Sequence, residues 1–244
     1  MAERIAVVTG VSKGLGAALA STLLERGFDV VGVGRSAAAN LTSRGFRLVT
    51  ADLADVGALA PILATLFDEL KAQRPTAIAV INNAAVAGPA GTIGAVDANE
   101  ALASLAVNLA APIVVADAFV RAFAGVAGER RLVNVSSGAA ARAIPGGGVY
   151  CIGKAGLEML TQVVAAEHGA SGLQCITIRP GIIDTPMQVY MRSQPRERLP
   201  SVDMFAGFHA SGQLVPPAVT AAKIVDRLVV GAVENGRTYS YAEL

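Results

Sequence analysis

Short apolar runs rich in β-branched residues alternate along the chain with longer stretches rich in alanine and leucine. The runs Ile5–Val8, Val30–Val33, Arg47–Val49, Ile78–Ile81, Leu132–Val135 and Gln174–Ile178 predict strands. They are continuous rather than alternating, as strands covered on both faces are. The stretches between them predict helices over 14–26, 55–73, 98–124 and 149–169, with another at 217–231, and a last short strand is expected at Thr238–Tyr241. Strands joined through helices run parallel, with ligands held beyond their C-terminal ends. The expected architecture is α/β: one domain over 1–244, with a doubly wound parallel sheet of about seven strands and helices on both faces.

One segment breaks the rhythm. Residues 186–216 carry Met187, Met191, Met204, Phe205 and Phe208 among prolines and polar residues, without clear periodicity. So long a stretch inside a compact domain is a functional lid or a disordered insertion. Because it follows a strand end on the ligand side, it reads as a substrate lid, with Met187, Met191, Phe205 and Phe208 as candidate substrate contacts.

Composition narrows the classes. With 53% hydrophobic and 16% charged residues, long disordered tails are not expected. The excess is largely alanine, which suits tightly packed helices and a subunit interface. The most apolar stretch, Leu102 to Val120, is interrupted by Asn108, Pro112 and Asp117, and the chain starts without a signal-peptide pattern. No membrane partner is expected, and a cytoplasmic location is. A net charge of +1 gives no field to attract nucleic acid. Cys151 and Cys175 read as reduced thiols, and His168 and His209 lack metal-ligand spacing, so no metal site is expected.

The candidate chemistry starts at Thr9-Gly10-Val11-Ser12-Lys13-Gly14-Leu15-Gly16, between the first strand and the first helix. Glycines there permit a tight turn and close backbone approach, and the helix N-terminus attracts a pyrophosphate. The second strand ends Val33-Gly34-Arg35-Ser36, with no acid from Val30 through Ser36 to hold a ribose 2′-OH. Arg35 there, with Lys13 on the glycine loop, would instead grip a 2′-phosphate, which favours NADP(H) over NAD(H). Asp52 is a candidate adenine cap and equally a turn residue.

Tyr150 and Lys154 stand four apart on a predicted helix and share a face. A nearby ammonium, with a positively charged nicotinamide, would favour the phenolate and lower the tyrosine pKa. Tyr150 would then exchange a proton with a carbonyl or alcohol oxygen. The strand Leu132–Val135 runs into Ser136 and Ser137 at the sheet edge, where a hydroxyl can hold a substrate oxygen; the residues alone leave the choice between the two open.

These residues resemble the short-chain dehydrogenase/reductase family, whose members have a single-domain Rossmann fold. Thr9 to Gly16 matches its Thr-Gly-x-x-x-Gly-x-Gly, and Asn82-Asn83-Ala84-Ala85 resembles its Asn-Asn-Ala-Gly, with alanine in the last place. Pro180-Gly181 with Thr185 resembles the segment that binds the nicotinamide carboxamide. The resemblance implies that Tyr150 is the general acid, that Ser137, by its spacing of thirteen residues from Tyr150, holds the carbonyl oxygen, and that Lys154 binds the nicotinamide ribose. It implies further that Asn108 holds a water in a proton relay. The implied cofactor contacts are Gly10, Ser12, Lys13, Gly14, Leu15, Gly16, Arg35, Asp52, Leu53, Asn83, Ala84, Ala85, Tyr150, Lys154, Pro180, Gly181, Ile183 and Thr185. The family also implies a homodimer or homotetramer, built through helices such as 101–123 and 149–169.

Within the family, Tyr150–Ala155, Asp184–Gln188 and Ser211–Val215 resemble sepiapterin reductases and their bacterial benzil-reductase-like relatives. Sepiapterin reductases hold the pterin with an aspartate in the C-terminal strand; alignment from Gly236 puts Ser240 there, with Glu243 at the wrong offset. The expected substrate is therefore a small apolar or aromatic ketone or diketone, with NADPH as reductant. A 3-oxoacyl-carrier-protein reductase, with Arg192, Arg196 and Arg198 as its basic patch, is the enzymatic alternative. An NADPH-sensing scaffold protein is the non-enzymatic one.

Overall fold

A computed structural model describes residues 3–244. Seven strands form one sheet: β1 (Arg4–Thr9), β2 (Asp29–Gly34), β3 (Phe46–Thr50), β4 (Ala77–Asn82), β5 (Glu129–Val135), β6 (Leu173–Arg179) and β7 (Thr238–Ser240). Their order is β3-β2-β1-β4-β5-β6-β7, and every neighbouring pair is parallel. The chain reverses its winding between β1 and β4, so a crevice opens beyond the C-terminal ends of these two strands. This is the doubly wound Rossmann architecture expected from the alternation.

Each face has its own core. On one, α1 (Gly14–Glu25) and α8 (Pro217–Ile224) bring Leu15, Leu19, Leu23, Ala221 and Ile224 onto Ala6, Val8, Ile81 and Val133. On the other, α2 (Val56–Ala72), α4 (Ala111–Phe123) and α5 (Gly148–His168) cover Val7, Val80 and Leu132, with Phe67, Phe119 and Phe123 stacked in tilted and edge contacts.

The helix expected over 98–124 is built in three pieces. α3 (Ala98–Leu105) passes into a wide π-turn, Ala106–Ala110, and then into α4. Pro112, in the first turn of α4, has no N–H, and in a regular helix its ring would press on the carbonyl of Asn108; the wider turn avoids that conflict. The run Ala98–Phe123 is 26 residues long and apolar enough (mean hydropathy 1.8) to cross a membrane, but its inner side is built into the core beside α2. The expected helix 217–231 likewise divides into α8 and a π-turn, Val225–Val230.

Two arginines explain how the ends of these helices are satisfied. Arg130 donates to the carbonyls of Phe123, Gly128 and Ser171 at 2.8–3.1 Å. Arg131, buried, gives Nη1 to the carbonyls of Leu228, Val229 and Gly231 at 2.8–2.9 Å and donates from Nε and Nη2 to Gln174 Oε1. Helix C-termini leave carbonyls without partners, and a buried guanidinium with several donors meets them.

The 186–216 segment contains two helices, α6 (Pro186–Arg192) and α7 (Val202–Ala210). Each is too short to show a period, and their apolar residues serve a shared third cluster. Met191, Leu199, Val202 and Phe205 meet Ala90, Ala139 and Ile144 from two distant loops.

Candidate active site

The glycine loop is shaped by close approach. Gly10 and Gly14 have φ of +74° and +58°. A Cβ on Gly10 would stand 2.9 Å from Ala84, and one on Gly16 would stand 2.1 Å from the Gly10 carbonyl oxygen and 2.4 Å from Asn83 Nδ2. Side chains are therefore excluded, as backbone binding of a pyrophosphate requires. α1 has Lys13 as its N-cap, in extended conformation with no side-chain cap bond, so its first-turn amides are left for an anion. Ser12 and Lys13 are exposed, whereas Leu15 and Gly16 are buried beneath them. The loop fits a dinucleotide.

Thr9 and Asn83 fix this loop to the end of β4. Thr9 Oγ1 accepts from the amides of Asn83 and Ala84, both at 3.0 Å, and Asn83 Nδ2 donates to the carbonyls of Thr9 (2.9 Å) and Gly10 (3.2 Å). The Asn83 side chain thus acts as a staple behind the crevice, while Ala84 and Ala85 line the turn, half-buried. The Thr9 role was not read from the sequence; the parallel register, in which Val8 faces Ile81, is the signal that places it opposite Asn82.

The 2′-phosphate candidates lie at the expected edge. The Gly10 amide donates to the Val33 carbonyl at 2.9 Å, so Arg35, exposed just past β2, adjoins the glycine loop. Among the described residues, neither Arg35 nor Lys13 is in an ion pair. Asp52 turns on itself, its Oδ1 accepting from the Ala54 amide at 3.0 Å, and Leu53 is buried. On the opposite bank, Pro180 is buried, and Gly181 (φ +78°) lies against Tyr241. Ile183 bridges to Val215, and Thr185 caps α6 with its methyl 3.3 Å from where a Gly14 Cβ would stand.

α5 carries the candidate catalytic pair, Tyr150 and Lys154. Lys154 is 2% exposed; its Nζ donates to the Val135 carbonyl at 2.7 Å and lies 5.7 Å from the centre of the Tyr150 ring. Burial brings the lysine down to about 8. Burial also pushes the Tyr150 phenol up to about 12, against the pull of the Ser137 hydroxyl beside it. Without a dinucleotide's positive nicotinamide beside it, desolvation sets the direction for Tyr150, and the Lys154 ammonium is tied to the Val135 carbonyl rather than to the phenol. The phenol is protonated at neutral pH, as an ordinary tyrosine is, and burial alone makes it a weaker acid than usual.

The two serines part company. Ser136 is buried and donates to Glu158 Oε1 at 2.8 Å, and that carboxylate is gripped by Arg179 through two bonds at 2.7 and 2.8 Å. Ser137 caps a short turn, Gly138–Ala141, through the Ala139 amide, and its hydroxyl remains beside Tyr150. Of the two hydroxyls, that of Ser137 is the one beside Tyr150. Asn108, in the π-turn, spends its carboxamide on protein: Oδ1 accepts from the Val86 amide, and Nδ2 donates to the Val86 carbonyl and Ser104 Oγ, at 2.9–3.1 Å. With both N–H donors engaged, the side chain holds the loop after β4.

The sequence profile of the family described as short chain dehydrogenase matches residues 4–196. The chain belongs to the short-chain dehydrogenase/reductase family. It is 31% identical over 239 residues to benzil reductase ((S)-benzoin forming) of Bacillus subtilis (strain 168), covering 97% of this chain and 98% of that one. It is 29% identical to the sepiapterin reductase of Meriones unguiculatus, covering 95% and 94%. Among solved structures, a short chain dehydrogenase from Burkholderia cenocepacia J2315 in complex with NADP superposes with a TM-score of 0.74 at 27% identity, covering 96% and 94%. This chain is thus a short-chain dehydrogenase/reductase, an oxidoreductase acting on CH–OH and C=O groups.

In this short-chain dehydrogenase, Met191 and Phe205 are buried in the lid cluster, and Phe208 packs edge-on to Phe205 at 6.2 Å between ring centres. Tyr150 and Cys151 lie partly buried against the same cluster, so the 186–216 segment and α5 share one apolar lining. Met187 is half-buried one turn before Met191. Tyr190, absent from the sequence-based candidates, closes α6 onto the loop after β4, with its hydroxyl 2.7 Å from where a Gly88 Cβ would stand.

The Lys154 shift makes a stability prediction. A lysine held at about 8 is disfavoured as a cation in the folded state, so the unfolded chain binds the extra proton between about 8 and its ordinary 10.5. Stability should rise with pH across that window. Denaturant midpoints of parent and Lys154→Met, compared at pH 7.5 and 9.5, should show the parent gaining roughly 2 kcal/mol relative to the variant. A constant difference would show that Lys154 titrates normally.

Proposed function

We propose that the protein is an NADPH-dependent carbonyl reductase that converts a small apolar or aromatic ketone or diketone to the alcohol. The observation that carries this reading is the placement of the Tyr150 phenol beside the Ser137 hydroxyl and in front of buried Lys154, on an apolar wall shared with the 186–216 segment. The reduced dinucleotide, when bound on the glycine loop, supplies the hydride to the carbonyl carbon. Ser137 holds the carbonyl oxygen, and Tyr150 delivers the proton to that oxygen as charge develops on it. Lys154, behind the tyrosine, is placed to hold the nicotinamide ribose.

The relatives support ketone reduction, and the substrate named for the Bacillus protein is an aromatic diketone. A pterin is disfavoured: Ser240 stands where an acid is needed, and Glu243 folds back on Ser240 and Arg237, which occupy its oxygens at 2.6–2.9 Å. Of the three arginines of the carrier-protein alternative, Arg196 is paired with Asp203 at 2.7 Å and Arg192 is half-buried, which leaves Arg198 as the exposed and unpaired one among the described residues. Leu102, Ile113, Ile152 and Met159 are exposed on α3, α4 and α5, in keeping with a homodimer or homotetramer. Cys151 and Cys175 are free thiols, in keeping with a reducing cytoplasmic setting.

An NADPH-oxidation screen over diketones, quinones, sepiapterin and acetoacetyl thioesters tests the substrate class; thioester turnover equal to that of the diketones would overturn it. For the cofactor, Arg35→Asp should shift the ratio of kcat/KM for NADPH over NADH by about 100-fold toward NADH, because the grip on the phosphate becomes a repulsion. An unmoved ratio would remove Arg35 from the argument.

A further inference from the structure

Among the described residues, four buried side-chain polar atoms have no hydrogen-bond partner: Asn82 Oδ1, Gln188 Oε1, Arg192 Nη1 and Thr220 Oγ1. Two of the four lie on α6, four positions apart and therefore on one face of that short helix. Buried polar groups are nearly always paired, and an unpaired one costs stability unless something else meets it. A guanidinium is the costliest of these, since it carries charge. Arg192 is in no ion pair or hydrogen bond through its side chain among the described residues, whereas its neighbour on the lid, Arg196, has Asp203.

The position of α6 says which ligand would meet them. Its N-cap, Thr185, touches the glycine loop at Gly14, and Tyr190 closes on Gly88. Met191, next to Arg192, enters the cluster that Tyr150 packs against. α6 thus runs from the cofactor loop to the cluster that Tyr150 packs against, on the side of the sheet where the substrate of a ketone reductase has to lie. The two flanking methionines and Phe205 are apolar and the Tyr190 hydroxyl is turned to Gly88, which leaves Arg192 and Gln188 as the unpartnered polar side chains of α6. A guanidinium offers donors only, so its complement is an oxygen acceptor; the Gln188 amide, turned by half a rotation, can present an N–H to the same atom.

We propose that Arg192, with Gln188, forms a subsite for a second oxygen acceptor on the substrate, a carbonyl or a carboxylate in addition to the carbonyl that is reduced. This rests on the ketone-reductase reading and deepens it, since it selects two-oxygen substrates over simple ketones.

The test compares 1-phenyl-1,2-propanedione, phenylglyoxylate and propiophenone as substrates of the parent, Arg192→Met, Gln188→Leu and Arg192→Lys. In Arg192→Met, the ratio of kcat/KM for each two-oxygen substrate to that for propiophenone should fall about tenfold, mainly through KM. Gln188→Leu should lower the same ratios less, and Arg192→Lys should recover part of the ratio for phenylglyoxylate. Phenylglyoxylate should raise the Tm of the NADP⁺-loaded parent and not that of Arg192→Met, a binding readout independent of turnover. Loss confined to phenylglyoxylate identifies a carboxylate, and loss confined to the dione identifies a carbonyl; either supports the subsite. Unchanged ratios, an equal fall for all three substrates, or a rise confined to the KM for NADPH would overturn it. If the parent reduces none of the three, the ketone-reductase reading itself fails, an outcome separable from the failure of the subsite alone.

Discussion

Tyr150→Phe should lower kcat for ketone reduction by about 10²- to 10⁴-fold while leaving the Tm and the affinity for NADPH near those of the parent. The substitution removes one oxygen from a ring that packs against the lid cluster and changes little else. It deletes the only protein proton donor that this reading places at the carbonyl oxygen; Ser137 remains, but its hydroxyl positions the oxygen and caps the turn at Ala139. The pH dependence should follow the same logic. Burial raises Tyr150 to about 12, so in the absence of cofactor the phenol stays protonated through neutral pH. The acid form required for reduction is then the resting form, and the reverse reaction should need higher pH. A variant that retained most of its kcat would end the assignment of Tyr150 as the acid.

The second large effect concerns stability. Arg131→Met should destabilise the protein by about 3–5 kcal/mol, with a fall in Tm of roughly 10 °C. Methionine fills much of the volume but donates nothing. The carbonyls of Leu228, Val229 and Gly231 would be stranded in a buried place, and Gln174 would lose its partner. Such groups cost far more unpaired than they contribute when paired. Arg121→Ala is the control, because its partner Asp117 is on the surface and the pair is open to water; its Tm should stay at the parent value. Equal effects of the two substitutions, read by calorimetry, would show that the buried bonds add nothing special.

What the sequence made legible is what is local. The glycine loop needs its φ angles and close contacts within a few residues, and Tyr150 and Lys154 stand one helical turn apart. The strand runs were visible because both faces of each are buried. Arg130 and Arg131 were outside the expected strand because charged residues argue against a buried one. Here their partners are carbonyls from helix ends as many as 100 positions away. The choice of Ser137 over Ser136 was hidden for the same reason, since it turns on Glu158 and Arg179 behind the sheet. α6 and α7 left no period because their apolar side chains are shared with loops near 90 and 140. The Arg192–Gln188 pair left no signal as a pair: four-residue spacing of polar side chains on a lid reads as a wetted surface until their burial is seen.

The Thr9–Asn83 staple has a kinetic consequence. Four hydrogen bonds from these two residues set the glycine loop against the end of β4 as part of folding. A dinucleotide arriving at the crevice therefore meets amides already aimed at it, and little chain entropy is lost on capture. Its association should therefore be fast and, if Lys13 and Arg35 meet its phosphates as proposed, should slow as salt is added. Loosening the staple, as in Thr9→Val, would leave every cofactor-contacting residue in place and still slow the capture step.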